Sequence, residues 1–182
     1  PNTCTSSAKG RHIYVLNADT GTLLKTFDTD RAVAGDIIGI PDASTGLAKW
    51  AYAADLGGNI YRLSGATANA AFEDTDPASW TITKIASLGC DTPASCTANR
   101  KFMFGPDVVG YDGSYVLLIG SGDREKPITG FTSAYGVTNY FFRLRDKPAN
   151  ADWLSSENAN CSANLLCLSS LLPIATATPD QA

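Results

Sequence analysis

The sequence predicts an all-β fold built from short antiparallel strands. Apolar and polar residues alternate in several short segments, which is the pattern of half-buried strands. Turn sequences rich in Gly, Asn and Asp separate these segments. Apolar residues make up 44% of the chain and charged residues only 18%. This composition is typical of strands joined by polar turns, and it excludes a disordered chain held open by charge.

The first predicted strand pair lies in residues 11–30. The segments "HIYVL" and "LLKTF" alternate, and Asn17-Ala18-Asp19-Thr20-Gly21 separates them. Asn and Asp side chains bond to their own backbone, and Gly adopts positive φ without strain, so this linker predicts a hairpin turn.

Three further strands are predicted at Asp36–Ile40, Lys49–Asp55 and Asn59–Leu63. The polar turn Asp42–Gly46 separates the first two, and the tight Gly57-Gly58 turn joins the last two. The segments "KWAYAAD" and "NIYRL" are rich in small residues, which permit one sheet to pack closely on another.

The polar connection Asn69–Ser79 leads to the next predicted strand, "WTITKIASL", with Trp80, Ile82 and Ile85 facing inward. Two strands then flank Asp112-Gly113, a strong signal for a two-residue hairpin.

A long loop is predicted at Glu125–Thr138, and the segment "NYFFRLRD" forms the last strand. From Lys147 onward the chain reads as a loop-rich tail with a helical turn at Asn164–Leu172. We therefore divide the chain into residues 1–146, which are expected to form partial propeller blades, and residues 147–182, which are expected to form a loop-rich tail. Sequentially paired short strands are typical of a sandwich, a barrel or a propeller.

The spacing of the cysteines predicts two local disulfides. Cys90 and Cys96 are separated by five residues, as are Cys161 and Cys167. Zinc sites prefer shorter Cys spacings together with His partners, and the chain has one His. Disulfides imply an oxidising, extracytoplasmic compartment. The partner of Cys4 is expected upstream.

Charge and hydropathy exclude two classes of function. The net charge is −4 and no basic stripe interleaves with aromatic residues, so no nucleic-acid partner is expected. No apolar run approaches the roughly 20 residues that span a bilayer, so the chain is not expected to be an integral membrane protein.

No residue pattern indicates catalysis, and we expect the protein not to be an enzyme. His12, the one imidazole, lies mid-strand, and a Ser or Cys nucleophile would need a paired base. Gly120-Ser121-Gly122-Asp123 lacks the Gly-Lys-Ser/Thr element of a phosphate loop and reads as a turn. Asp55 and Asn59 are expected to bond to the backbone around the Gly57-Gly58 turn.

Several further residues are weak candidates for binding. Asp74 and Asp76, beside Glu73, form an acidic cluster that reads as a solvated loop. Trp50 and Trp80 read as core residues, whereas Trp153, in the polar tail, is the tryptophan that we would place at a surface contact.

Two early segments share the pattern of apolar strand, Asn/Asp-x-x-Gly turn and apolar strand, which suggests a blade repeat of about 40 residues. The segment "HIYVLNADTGTLLKTFDT" resembles the blade motif of quinoprotein-type β-propellers. The run Tyr52-Ala53-Ala54-Asp55-Leu56-Gly57-Gly58-Asn59-Ile60-Tyr61-Arg62 is similar to the "Y-A-G-D-L-x-G-N-L-W-R" element of the PilC/PilY family. The resemblance covers residues 11–146 and is most specific over Asp55–Arg62.

Members of this family are type IV pilus assembly and tip-adhesin proteins, so the resemblance implies part of a C-terminal β-propeller with antiparallel four-stranded blades and disulfide-closed loops. It implies a role in pilus biogenesis, twitching motility and surface adhesion. The implied partners are pilus subunits or minor pilins and a host or abiotic surface. The implied location is the cell surface, the pilus tip or the outer membrane. The alternatives are a fragment of a quinoprotein dehydrogenase that uses pyrroloquinoline quinone and a periplasmic scaffold for outer-membrane assembly.

The sequence departs from the family at its calcium loop. Typical members place a "D-x-D-x-D-G-x-x-D" loop before the motif, where this chain has residues 41–49. Asp42 is the one carboxylate there, Ser44 is a weak oxygen ligand and Lys49 ends the loop. Because Ca²⁺ prefers six to eight oxygens, several of them charged, we expect no tight calcium site at this loop and no cofactor.

Overall fold

The computed structural model describes residues 9–72, 75–91, 99–123 and 136–174, and this part of the protein is mostly β. Its strands are β1 (His12–Leu16), β2 (Leu23–Asp28), β3 (Ile38–Pro41), β4 (Ala48–Ala54), β5 (Asn59–Ser64), β6 (Thr81–Ser87), β7 (Asp107–Tyr111), β8 (Ser114–Gly120), β9 (Phe141–Asp146) and β10 (Leu166–Cys167). The strands before β10 fall where the alternating patterns predict them, with boundaries shifted by one or two residues.

Helices in these ranges are short. One helical turn, α1, spans Asn158–Cys161, and 3₁₀ helices span Pro77–Ser79, Ser155–Glu157 and Leu168–Ser170. The helical turn predicted at Asn164–Leu172 is therefore wrong over its first half. Leu166 and Cys167 instead pair in parallel with Ala86 and Ser87 of β6, and the 3₁₀ helix begins only after that pairing ends.

The strands form three sheets. The hairpin sheet contains β1 and β2, the central sheet has the order β10-β6-β5-β4-β3, and the outer sheet has the order β7-β8-β9. Within the central sheet, β3 to β6 form the antiparallel meander expected of a four-stranded blade. The predicted propeller, however, is not observed. The sheets have two, five and three strands, β10 extends the middle one in parallel, and the described ranges contain no closed set of blades.

The central sheet is buried on both faces, which makes it the middle layer of the stack. Trp50, Tyr52 and Ile60 pack toward outer-sheet residues such as Leu117 and Phe142. On the other face, Ala51, Ala53 and Leu63 form a second core with residues of the hairpin sheet, Ile13 and Phe27. The small side chains of β4 allow this close approach, as the sequence predicts.

A bulge explains how the predicted inward residues of β6 divide between the two cores. Ile60 pairs with Ala86 but Tyr61 pairs with Lys84, so the register shifts at Ile85. Ile85 is fully buried in the core shared with the outer sheet. Trp80 and Ile82 are half-buried and pack in the other core.

A buried ion pair joins the central and outer sheets. Arg62 of β5 donates from Nη1 to both carboxylate oxygens of Asp146 of β9, at 2.6 and 2.7 Å, and both side chains are about 2% exposed or less. The Tyr52 hydroxyl donates to Asp146 at 2.8 Å, and Trp153 Nε1 donates to it at 3.0 Å. Trp153 is thus half-buried against the core, and its Nε1 is satisfied by Asp146. The structure therefore does not place it at the surface contact that the sequence suggested.

The residues after β9 pack onto the same core. Leu154 and Leu166 belong to it, and Leu168 and Leu171 lie against it. The predicted disulfide between Cys161 and Cys167 is confirmed, with a Cα–Cα distance of 5.7 Å. It ties α1 to β10 and so to the edge of the central sheet.

Burial and the adjacent negative charge of Asp146 raise the pKa of Tyr52 far above its usual value near 10. The folded protein therefore keeps this hydroxyl protonated at a pH where the unfolded chain releases the proton. We expect the free energy of unfolding to fall as the pH rises above about 10, by about 1.4 kcal/mol per pH unit from this group. Denaturant unfolding at several alkaline pH values measures this slope. The variant Tyr52→Phe should reduce the slope and leave the part from Tyr61, whose pKa is also raised by burial and by Asp55. An equal slope in that variant would assign the effect to other groups.

Candidate partner-binding loop end

Several connections meet at one end of the sheet stack, which we call the loop end. It comprises the β4–β5 turn, the segments 88–91 and 99–103, and the ends of the β8–β9 connection at 121–123 and 136–140. The Leu88 amide donates to the Gly58 carbonyl at 2.8 Å, and the Arg100 amide donates to the Gly89 carbonyl at 2.7 Å. The backbone therefore holds these connections together.

The β4–β5 turn is fixed by Asp55, which is fully buried. One of its oxygens accepts from the amides of Gly57 and Asn59, at 2.8 and 3.0 Å. The other accepts from the Arg31 amide at 3.0 Å and the Tyr61 hydroxyl at 2.9 Å. This agrees with the backbone-bonding role expected of Asp55 and shows why an Asp is needed there.

Close contact between backbones explains the glycines at this point. Gly58 has φ of 77°, and a Cβ on Gly89 would lie 1.9 Å from the Gly57 carbonyl oxygen. Both sides of the contact must therefore lack a side chain. The beginning of the Cys90 loop is thus pressed against the β4–β5 turn.

Arg100 anchors both the Cys90 loop and the β8–β9 connection, although it is about 1% exposed. Its Nε donates to the Thr138 carbonyl at 2.6 Å, and its Nη1 donates to the Leu88 carbonyl at 3.2 Å. Nη2 pairs with Asp91, and the guanidinium lies 4.8 Å from the ring centroid of Tyr140. One buried side chain therefore ties the ends of the Cys90 loop to the end of the β8–β9 connection.

The other end of the β8–β9 connection is also fixed. The Gly122 amide donates to the Lys101 carbonyl at 3.0 Å, and the Lys101 ammonium pairs with Asp123. The Ser121 amide donates to the Tyr140 carbonyl at 2.9 Å. The segment Gly120–Asp123 thus contains the last residue of β8 and three residues held by these contacts, and the turn predicted there is not observed among the described residues.

A surface cavity of about 490 Å³ opens beside this segment. Its wall includes Leu118, Ile119 and two exposed aromatic residues, Phe104 at 55% and Phe141 at 72%. Asp107 lies at the same cavity. Exposed aromatic side chains over a fixed backbone are typical of protein interfaces.

The predicted disulfide loop begins at the loop end. Cys90 is disulfide-bonded, and Cys96 and Cys4 lie outside the described residues, as does most of the predicted loop Glu125–Thr138. The structure places the anchors of both loops together, and the Cys90–Cys96 pairing stays a prediction.

The loop at residues 41–49, where no tight calcium site is expected, contains the Lys49 ammonium group. Asp42 Oδ1 accepts from the Ser44 amide and hydroxyl at 2.8 and 2.5 Å, and Oδ2 accepts from Lys49 Nζ at 3.0 Å. The Ser44 hydrogen bonds and then the Lys49 ammonium hold the pKa of Asp42 well below its usual value. The carboxylate is thus ionised and engaged by its own loop.

We expect calcium to leave this loop unchanged. Because Lys49 lies on the oxygen that a metal would need, about 1 mM Ca²⁺, enough for weak extracellular sites, should not shift the melting temperature relative to chelator. Differential scanning fluorimetry on the wild type and on Lys49→Met makes the comparison. A calcium-dependent rise in the wild type that Lys49→Met increases would place calcium at Asp42 and contradict this assignment.

The remaining candidates have structural roles. Asp76 caps the 3₁₀ helix Pro77–Ser79 by accepting from the Ala78 amide at 2.9 Å, and Glu73 and Asp74 lie outside the described residues. His12 pairs with Asp28 at 2.7 Å on the exposed face of the hairpin sheet. Within the described ranges, no three His, Cys, Asp or Glu side chains come together as a metal site requires.

Sequence reasoning missed Arg100, Asp146 and their roles. A period-two signal was present for Asp146, which shares a face of β9 with buried Leu144, whereas Arg100 lies in a connection outside the strands. None of the helices among the described residues has the length and apolar character needed to cross a membrane.

Comparisons with protein-family models, curated proteins and solved structures found no match to this chain.

Proposed function

We propose that this chain is a non-catalytic, extracytoplasmic binding protein of the PilC/PilY type that acts in pilus biogenesis, twitching motility and surface adhesion. Its partners are pilus subunits or minor pilins and the surface to which the cell attaches. It acts at the cell surface, the pilus tip or the outer membrane.

The observation that carries this proposal is the construction of the loop end. Two loops start from a backbone fixed by Asp55 and Arg100, and exposed Phe104 and Phe141 lie beside them. Loops positioned by a rigid sheet scaffold are the usual site of partner recognition. Aromatic anchors supply most of the binding energy in such interfaces.

The motif that resembles the family supports the fold part of the proposal. Asp55 and Arg62, its most specific residues, are buried and hold a turn and an inter-sheet ion pair. Asp55 and Arg62 therefore stabilise the central sheet and its packing on the outer sheet. We propose that the three sheets are partial blades of a propeller, and the four-stranded meander of β3 to β6 supports this interpretation.

The disulfides support an extracytoplasmic location. Cys161 is bonded to Cys167, and Cys90 is disulfide-bonded as well. Such bonds persist in oxidising compartments and are rare in the cytosol.

Deleting the gene and measuring piliation, twitching and adhesion tests the proposal. We expect all three to fall and the wild-type gene to restore them. A gene that encodes the Phe104→Ser/Phe141→Ser variant should not restore adhesion. The matched control Tyr14→Ser/Leu16→Ser removes exposed apolar side chains from the hairpin sheet and should restore adhesion fully. A deletion that leaves pili, twitching and adhesion unchanged would refute the proposal.

A further inference from the structure

Three cations lie in a row along the edge of the outer sheet. Arg143, Arg145 and Lys147 are exposed and alternate with the buried residues of β9 and its continuation. Alternate residues of a strand project from one face at intervals of about 6.6 Å. The three charges therefore form a linear array at the end of β9.

These cations differ from most others in the described ranges because they have no carboxylate partner. Lys49, Arg62, Lys84, Arg100 and Lys101 each form an ion pair with an Asp. No carboxylate among the described residues forms an ion pair with Arg143, Arg145 or Lys147. The row is thus a concentration of unneutralised positive charge on a chain whose net charge is −4.

Two of the three cations line a cavity of about 330 Å³. Arg145 and Lys147 form one side, and Ser114, Asn150 and the Asp112-Gly113 turn of the β7–β8 hairpin form the rest. Ser114 and Gly120 are opposite ends of β8, and Gly120 adjoins the loop end. This cavity therefore lies away from the loop end, at the far end of the same sheet.

The Arg145 guanidinium is held in a fixed orientation. Its Nε donates to the Ser114 hydroxyl at 2.9 Å, and that hydroxyl donates to the Tyr111 carbonyl at 2.5 Å. The guanidinium also lies 5.3 Å from the Tyr111 ring centroid. Because Nε bonds to Ser114 and one face of the guanidinium lies near the Tyr111 ring, the two Nη groups are left to bind a ligand. A guanidinium held in this way matches the two oxygens of a carboxylate or sulfate.

We propose that this cavity binds the oxyanion groups of an acidic polysaccharide. Arg145 binds one carboxylate or sulfate through its Nη groups, Lys147 binds beside it, and Arg143 contacts the next charged sugar along the strand. Tyr111, which is 63% exposed, adds an aromatic surface next to the fork. The small number of cations favours a polysaccharide over nucleic acid, whose affinity requires many phosphate contacts.

Asp112 gives the site a variant that should improve it. Its exposed carboxylate lies at the cavity and repels an anion. Asp112 has φ of 46°, a conformation that Asn adopts at least as readily in this type of turn. Asp112→Asn should therefore preserve the hairpin and strengthen polysaccharide binding.

Isothermal titration of the purified protein with a sulfated polysaccharide, heparin, and with a carboxylated one, polygalacturonate, tests the proposal and identifies which oxyanion is preferred. We expect binding that weakens with salt. Arg145→Gln/Lys147→Gln should weaken it by at least roughly tenfold, because two charge-assisted contacts are lost. Asp112→Asn should tighten it, and the charge-matched control Lys9→Gln/Lys25→Gln should leave it within about twofold.

Four outcomes would overturn the inference. These are no binding of either polysaccharide, an equal loss in the control variant, tighter binding of duplex DNA of equal charge, or self-association of Arg145→Gln/Lys147→Gln without loss of binding. The last outcome would assign the cations to protecting an exposed strand edge. The loop-end variants used to test the proposed function do not alter this cavity, so the two proposals can fail separately.

Discussion

Replacing Asp146 by Asn should lower the free energy of unfolding by about 3–5 kcal/mol, the largest stability effect that we expect from a single side chain. The substitution preserves shape and leaves the charge of Arg62 buried between two sheets, where the side chain is about 2% exposed. The Tyr52 hydroxyl and Trp153 Nε1 would also lose a charged acceptor. Urea unfolding with the disulfides intact measures the loss.

The double variant Arg62→Met/Asp146→Asn separates the contribution of the ion pair from the cost of leaving one charge unpaired. It removes both charges and keeps an acceptor oxygen at position 146, so it should recover much of the stability that Asp146→Asn loses. A loss below about 1 kcal/mol for Asp146→Asn, the range of an exposed pair, would contradict the buried environment that the structure assigns to it.

The sequence predicts the sheet elements well because their signals are local. Alternation of apolar residues marks β1, β2 and β4 to β9, and Asp112-Gly113 marks its hairpin turn. Strand order within each sheet follows, because neighbours in the sequence pair. What the sequence could not show is β10, since a two-residue parallel pairing with β6 depends on a tail that returns from far along the chain.

The fold prediction is confirmed only as a mostly β fold, and the described ranges show no propeller, for a related reason. A blade motif specifies a strand, a turn and a second strand, but the number of strands in each sheet depends on long-range contacts. Here the hairpin sheet has two strands and the outer sheet three. The repeat therefore predicts the meander of β3 to β6 correctly and says little about closure.

The candidate sites also divide into residues with local partners, which the sequence can assign, and residues with distant partners, which it cannot. Asp55 could be assigned to its turn because three of its partners, Gly57, Asn59 and Tyr61, lie within six residues. Arg100 could not be assigned, because its acceptor at Thr138 lies 38 residues away. The Arg145 cavity depends on a hairpin turn and on residues after β9 that meet only in the folded chain.

Replacing Arg100 by Met should release both loops of the loop end while keeping the aliphatic packing of the side chain. The Thr138 and Leu88 carbonyls would each lose a charged donor, and a hydrogen bond to a charged group contributes about 1.5–3 kcal/mol. We expect the free energy of unfolding to fall by about 2–4 kcal/mol. Hydrogen exchange at the amides of residues 88–91 and 136–140 should become faster than in the rest of the protein.

Two control variants separate the backbone anchors of Arg100 from its ion pair. The Asp91 side chain is 76% exposed, so Asp91→Asn should cost less than about 1 kcal/mol and leave exchange at 136–140 unchanged. Arg100→Lys keeps a charge near Asp91 but lacks the fork that reaches two carbonyls at once, so it should resemble Arg100→Met. If Asp91→Asn instead accelerated exchange as much as Arg100→Met, the exposed ion pair would be the anchor.

An adhesion assay compares Arg100→Met with Asp146→Asn, a variant that is expected to be less stable but whose substitution lies away from the loops. If the loops bind the partner, Arg100→Met should lose more adhesion than Asp146→Asn despite its greater stability, and the reverse order would attribute the loss to unfolding alone.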